Sequence, residues 1–248
     1  YPIIKWYDVS FTIYFTGIQL IRTRVEGTQS PYVYWRENHK KIIEHVQTLK
    51  ENYYIACTNY IWDKNIKFAK SFKVEWAIGT ILYIIDKLEI AKNNEPITTL
   101  LNREYELNHA KQIISNYVIL DPFAGWGDRM YAANVSGIKK YIGFDPNTEL
   151  IEGYDTMMLL FKQLQHNLHL NQTINDINFF PFEDLNIDEN PNMENIQNID
   201  FIITSIPLGS KEIYSIESTQ SSERYRYMPN WIEFMKKCIY NMFKLVKV

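Results

Sequence analysis

The stretch Asp121-Pro-Phe-Ala-Gly-Trp-Gly-Asp-Arg129 constrains this chain more than any other. It follows the apolar run Val118, Ile119, Leu120, which reads as a buried strand, and it leads into residues at helical spacing. Glycines at a strand end let the backbone approach a ligand closely, and a carboxylate beside them can accept hydrogen bonds from an amine or a hydroxyl. A tight strand-to-helix turn asks for glycines on its own account, so the local pattern has a purely structural alternative. One strand later, Tyr141-Ile-Gly-Phe-Asp145-Pro-Asn147 sets a second carboxylate at a second strand end. That is about 20 residues on, where nucleotide-binding α/β folds place the acid that holds a ribose. A turn residue before Pro146 is the alternative reading of Asp145. A dinucleotide site would carry Gly-x-Gly-x-x-Gly, and here Met130 stands third after Gly127.

The chain divides at 116/117. In residues 117–248, strands are expected at Val118–Leu120, Tyr141–Phe144, Ile177–Phe180 and Phe201–Thr204. Helices are expected at Asp128–Val135 and Glu149–Leu168, with a short piece before Ile199 and an amphipathic helix over Trp231–Leu245. Such alternation predicts an α/β fold with a parallel, Rossmann-like sheet. The polar, Asn-rich run Asn186 to Gln197 reads as a surface loop. Residues 1–116 read as a mostly helical extension. Its helices are expected from Tyr34 to Lys50 after Ser30-Pro31, over Val74–Ala91 with Trp76, Ile81, Ile84, Ile85 and Leu88 on one side, and over Thr98–Ser115.

Bulk properties exclude more than they assign. A net charge of −3 means that any nucleic-acid contact must come from a local patch. One candidate is Lys64, Lys67, Lys70 and Lys73 with Phe68 and Phe72 interleaved, which equally suits a solvated helix face. Cys57 and Cys238 lack paired spacing, and His166 and His169 lack neighbouring ligands, so no metal site is expected. No apolar run reaches the ~20 residues of a membrane span, and the start carries no secretory pattern. An intracellular protein, cytoplasmic, nuclear or virion-associated, is the expectation.

Together, the Asp121–Gly127 stretch and Asp145 resemble the cofactor motif and following acidic position of S-adenosylmethionine-dependent methyltransferases. The Asp-Pro-Phe-Ala-Gly-x-Gly form resembles that of amino-methyltransferases acting on adenine or cytosine, and Gly-Trp-Gly-Asp-Arg resembles phage and large-virus members. The resemblance covers Tyr117 to Lys247. It implies that Asp121 lies near the methionine end of S-adenosylmethionine and that Phe123, Ala124, Gly125 and Gly127 line the cofactor. It gives the ribose hydroxyls to Asp145, the adenine amino group to Asp184 and the adenine face to Phe182. Asp128 and Arg129 are expected to cap a helix and pair locally.

In the family the catalytic segment follows the fourth strand as Asp/Asn/Ser-Pro-Pro-Tyr/Phe. Here it reads Thr204-Ser205-Ile206-Pro207-Leu208, so Ser205 and Pro207 hold catalytic places while Ile206 and Leu208 depart from the pattern. Downstream, Glu212-Ile-Tyr214-Ser215 and Thr219-Gln220-Ser221 match the run found in the phage-like proteins at the same spacing. Tyr214 is a candidate for the missing ring, and Arg224-Tyr225-Arg226-Tyr227 suits stacking and phosphate pairing. The family's sheet continues beyond the last helix. The sequence here is therefore expected to be a fragment, or to be completed by a partner chain or by its own amino-terminal part. Two functions stay open: a nucleic-acid methyltransferase, adenine N6 of DNA before RNA, and a catalytically inactive methyltransferase-like subunit of a larger assembly such as a viral particle.

Overall fold

The computed structural model describes residues 22–25, 27–48, 64, 73–167, 171–188, 196, 198–207, 209, 212–215 and 217–247. Arg24–Val25 (β1) precedes the helices Pro31–Gln47 (α1), Val74–Ala91 (α2), Ile97–Leu101 (α3) and Leu107–Ile114 (α4). Alternation begins with Val118–Asp121 (β2), Asp128–Ser136 (α5), Lys140–Phe144 (β3), Ile151–Asn167 (α6) and Ile174–Asn178 (β4). Phe201–Ile202 (β5), Glu212–Ile213 (β6), Ser221–Arg224 (α7) and Met228–Leu245 (α8) complete the order.

Four strands form one all-parallel sheet in the order β4-β3-β2-β5. Ile119 lies opposite Tyr141 and Phe201, and Leu120 opposite Ile142 and Ile202. The period of two then sorts the side chains between two layers. Ile119, Tyr141 and Phe201 pack with Ala77, Ile81 and Ile85 of α2, Met130 of α5 and Phe161 of α6. Val118, Leu120, Ile142 and Phe144 pack with Phe234, Met235, Cys238 and Leu245 of α8. Near-continuous apolar strands are what a parallel sheet covered on both faces requires.

Helices α2 to α4 share the first of these clusters, so the apolar core runs across the boundary expected at 116/117. Glu89 of α2 ties them to β2. Its carboxylate accepts from Lys92 Nζ (2.9 Å), Asn94 Nδ2 (2.6 Å) and the Tyr117 hydroxyl, a set that satisfies a buried charge. Trp76 is a correction to the expected apolar side. The buried stripe is Val74, Ala77, Ile81, Ile85 and Glu89, and Trp76, one position off it, is 67% exposed.

Other expectations shift. The single helix over Thr98–Ser115 is two helices joined by a 3₁₀ turn at Glu104–Glu106, where Arg103 pairs with Glu95 (2.8 Å) and Glu106 (3.4 Å). Strand β4 starts three residues earlier than Ile177 and ends before Phe179. Lys67, Lys70, Phe68, Phe72 and Leu208 lie outside the described residues. The amino-terminal strand β1 pairs antiparallel with β6 in a separate ribbon. Beyond α8, Val246 forms a parallel bridge with Ile199, and the Lys247 N–H donates to the Ile199 carbonyl at 2.9 Å.

Candidate cofactor-binding site

Successive crossovers carry the chain from β2 to β3 to β4, and it then returns to place β5 on the other side of β2. The segments leaving β2 and β5 diverge at that reversal, which opens a crevice at the carboxyl ends of the strands. A cavity of about 370 Å³ lies there, within the size range of small-molecule sites. Its wall takes Phe123 and Gly125 from the end of β2, Asp145 and Asn147 from β3, Phe182 and Glu183 from β4, and Ser205 and Pro207 from β5. Trp126, Leu150, Tyr214 and Gln220 close it.

Asp145 pins two of these turns together. One carboxylate oxygen accepts from the Gly125 N–H (2.9 Å) and the other from the Asn147 N–H (2.9 Å). Part of the side chain stays open to the cavity, but the packed surroundings push the carboxyl up to about 7, against the two backbone donors that favour its charge. The two glycines have different places. Gly125, at φ +61°, would bring a Cβ into ordinary contact only, 3.9 Å from the Phe123 carbonyl oxygen, so its backbone conformation and not crowding asks for glycine on the cavity wall. Gly127, at φ +88°, would bring a Cβ within 2.7 Å of Met157 Cε. Its left-handed backbone is what asks for glycine, since the Met157 tip is the end of a flexible side chain, and Gly127 does not line the cavity.

Asp121 lies behind the wall. It is fully buried, and its oxygens accept from Arg129 Nε (2.7 Å), the Tyr141 hydroxyl (2.6 Å) and Thr204 Oγ1 (2.7 Å). Arg129 also donates to the Phe123 carbonyl. Asp121 therefore fastens β2, α5, β3 and the segment after β5 to one another. Arg129 reaches back to pair with Asp121, and both Asp128 and Arg129 reach the cavity wall. Ala124 is buried beneath the turn, with its N–H donating to the Phe144 carbonyl (2.8 Å).

After β4, the 3₁₀ turn Phe182–Asp184 presents adjacent acids to opposite environments. Phe182 lines the cavity, edge-on to Phe144 at 5.1 Å, and so does Glu183, whose carboxyl burial raises. Asp184 points outward and is held bidentately by Arg224 (2.7 and 2.8 Å), which also donates to Glu183 (2.9 Å). The cavity acid is thus Glu183, one residue before the expected Asp184, and Arg224 is engaged in a three-group ion pair. Arg226 is exposed, faces Glu223 (3.4 Å) and lies off the wall.

Ser205 and Ile206 are exposed at the cavity rim, with Pro207 buried beside them. Tyr214 lines the same wall, its ring 6.5 Å from that of Trp126. The structure thus brings together Phe123, Gly125, Asp145, Phe182, Ser205, Pro207 and Tyr214. It leaves Asp121, Ala124, Gly127, Asp184, Arg224 and Arg226 off the wall. Polar wall residues that sequence reading missed include Glu183, Asn147 and Gln220. Glu183 stands between Phe182 and Asp184, and Asn147 two residues after Asp145; Gln220 had only its place in the Thr219-Gln220-Ser221 run to mark it.

Among the described residues, no group of three or more His, Cys, Asp or Glu is arranged to hold a metal ion, and no helix is long and apolar enough to cross a membrane. Compared with protein-family models and with curated proteins, the sequence matches none.

Proposed function

We propose that the cavity binds S-adenosylmethionine and that the protein transfers its methyl group to an amine of nucleic acid, adenine N6 of DNA first. The observation that carries this reading is Asp145, a strand-end carboxylate partly open to a cavity at the reversal of strand order, with uncovered backbone at Gly125 beside it. The donor set suits an adenosyl group. Asp145 can accept from ribose hydroxyls, Glu183 can accept from an exocyclic amine, and Phe182 offers an aromatic face.

When bound, the cofactor supplies an electrophilic methyl group on sulfur. An exocyclic amine is a weak nucleophile because its lone pair is delocalised into the ring, so the protein has to accept its hydrogens and hold its orientation. Ser205 Oγ, exposed at the rim, and the carbonyls around Ile206–Pro207 are the acceptors for that task. Tyr214 and Trp126, whose rings lie 6.5 Å apart on the same wall, are the candidates to stack on the target base. The test is transfer of labelled methyl from S-adenosylmethionine to unmethylated duplex DNA, single-stranded DNA and RNA. Incorporation into DNA at adenine N6, lost in Ser205→Ala with cofactor affinity retained, supports the reading.

A second reading, a methyltransferase-like subunit without catalysis that works beside a protein partner, is favoured by one feature. Ile206 is 45% exposed at the rim, where the family pattern carries a proline. Cofactor binding with no transfer to any of the three polymers would favour that subunit.

A further inference from the structure

Asn147 and Gln220 are 1% and 3% exposed, both line the cavity, and among the described residues neither Asn147 Nδ2 nor Gln220 Nε2 has a hydrogen-bond partner. A buried amide donor without an acceptor is costly, and native proteins rarely keep one without a use. Here two occur on one cavity. They come from segments that are held together: Thr148 donates from its N–H (3.1 Å) and hydroxyl to Glu217, and Thr219 Oγ1 donates to the Pro146 carbonyl (3.3 Å). The turn after β3 and the strap at 217–220 therefore form two sides of one recess. Asn147 is fixed within it, because its Oδ1 accepts from the Glu149 N–H (3.2 Å) and leaves the amide nitrogen as the unused end.

We propose that Asn147 and Gln220 read the adenine ring, donating to its ring nitrogens, and so select an adenine over a guanine or hypoxanthine nucleoside. The proposal rests on the adenosyl reading above and deepens it. The wall's carboxylates, Asp145 and Glu183, require donors on the occupant, which an adenosine has as ribose hydroxyls and an exocyclic amine. Its two orphan amides require acceptors, and on the base of an adenosine those are the ring nitrogens. Guanine and hypoxanthine carry N–H at the ring position beside the exocyclic group and so turn an acceptor into a donor. An amide facing that edge is then left unpaired, the situation from which polar sites draw their selectivity.

The test uses the whole chain and calorimetric titration with S-adenosylhomocysteine, its 1-deaza, 3-deaza and 7-deaza forms, and S-inosylhomocysteine. The variants are Gln220→Leu, which removes the donor, and Asn147→Asp, which removes the donor and keeps the acceptor to Glu149. The expected result is that each variant weakens S-adenosylhomocysteine about tenfold, while one deaza analogue, weaker on the native protein by a similar factor, loses nothing more on the matching variant. S-inosylhomocysteine binds natively at least tenfold more weakly than S-adenosylhomocysteine. Without ligand, the melting temperature of Gln220→Leu does not fall, because an unpaired buried donor has been replaced by an apolar group. Native affinity for S-adenosylhomocysteine with both variants binding it equally well overturns this proposal and leaves the cofactor reading standing. A folded native protein that binds neither S-adenosylhomocysteine nor any of its analogues overturns both.

Discussion

Arg129→Met removes the guanidinium that neutralises Asp121 while keeping most of the side chain's bulk. Both groups are buried, with side-chain exposures of 5% and 0%, so the carboxylate left behind cannot recover its hydration. Tyr141 and Thr204 still donate to it, but both are neutral. Breaking a buried pair from one side costs ~3–5 kcal/mol, against a whole-protein stability of only ~5–15 kcal/mol. For a chain of this size that is a fall of roughly 6–20 °C in melting temperature. Asp121→Asn strands the opposite charge and should cost a comparable amount. The double variant Asp121→Asn, Arg129→Met should lose less than the sum of the two, because neither charge is then left alone. Urea unfolding of the four proteins at one pH reads these differences directly. A loss below ~1 kcal/mol for Arg129→Met would refute the structural assignment. So would an Asp121→Asn variant of native stability that no longer binds cofactor, since that is the behaviour of a ligand contact.

Gly127→Ala combines a left-handed φ with the Met157 contact and should cost ~2–3 kcal/mol, whereas Gly137→Ala, at φ +76° with open space around it, should cost only ~1–2 kcal/mol; thermal melts of both give the order. Glu183→Gln should weaken cofactor binding about tenfold and Asp184→Asn less than about twofold, and the reverse order in a titration would restore the outer acid to the site. Asp145, raised to about 7, binds a proton on folding, so its contribution to stability is full below the ordinary carboxylate range and is lost as pH rises through about 7. Cofactor binding needs the ionised form and should tighten up to about tenfold per pH unit below that value. Both dependences should flatten in Asp145→Asn, as followed by melts and titrations from pH 5.5 to 8.5.

Where one local signal dominated, the sequence was legible. Helix α2 begins and ends at the residues its apolar spacing marks, and β2 and β3 stand where continuous apolar runs meet an acid. β4 was misplaced because Ile174-Asn-Asp-Ile-Asn178 alternates weakly at the sheet's edge, while the more apolar Ile177–Phe180 run drew the assignment downstream. Trp76 shares the apolar spacing of α2 loosely, and helix geometry sets it beside the buried stripe, 67% exposed. In the site, strand ends converge in any parallel sheet, which brings Asp145 and Phe182 to one cavity. Order along the chain could not tell Glu183 from Asp184, since rotation within a single 3₁₀ turn decides which acid faces inward. Nor could it show that Arg224 would be taken up by acids some 40 residues away, or that Asp121 would find Arg129, Tyr141 and Thr204 before any ligand. Those pairings are long-range and exist only once the sheet has formed.

The measurement that bears most directly on the central claim is calorimetric titration of the folded chain with S-adenosylmethionine, in parallel with Asp145→Ala. Saturable one-to-one binding that Asp145→Ala abolishes, with the variant still folded, is the predicted result. No binding by a cooperatively melting native protein, or equal binding by the variant, would contradict it.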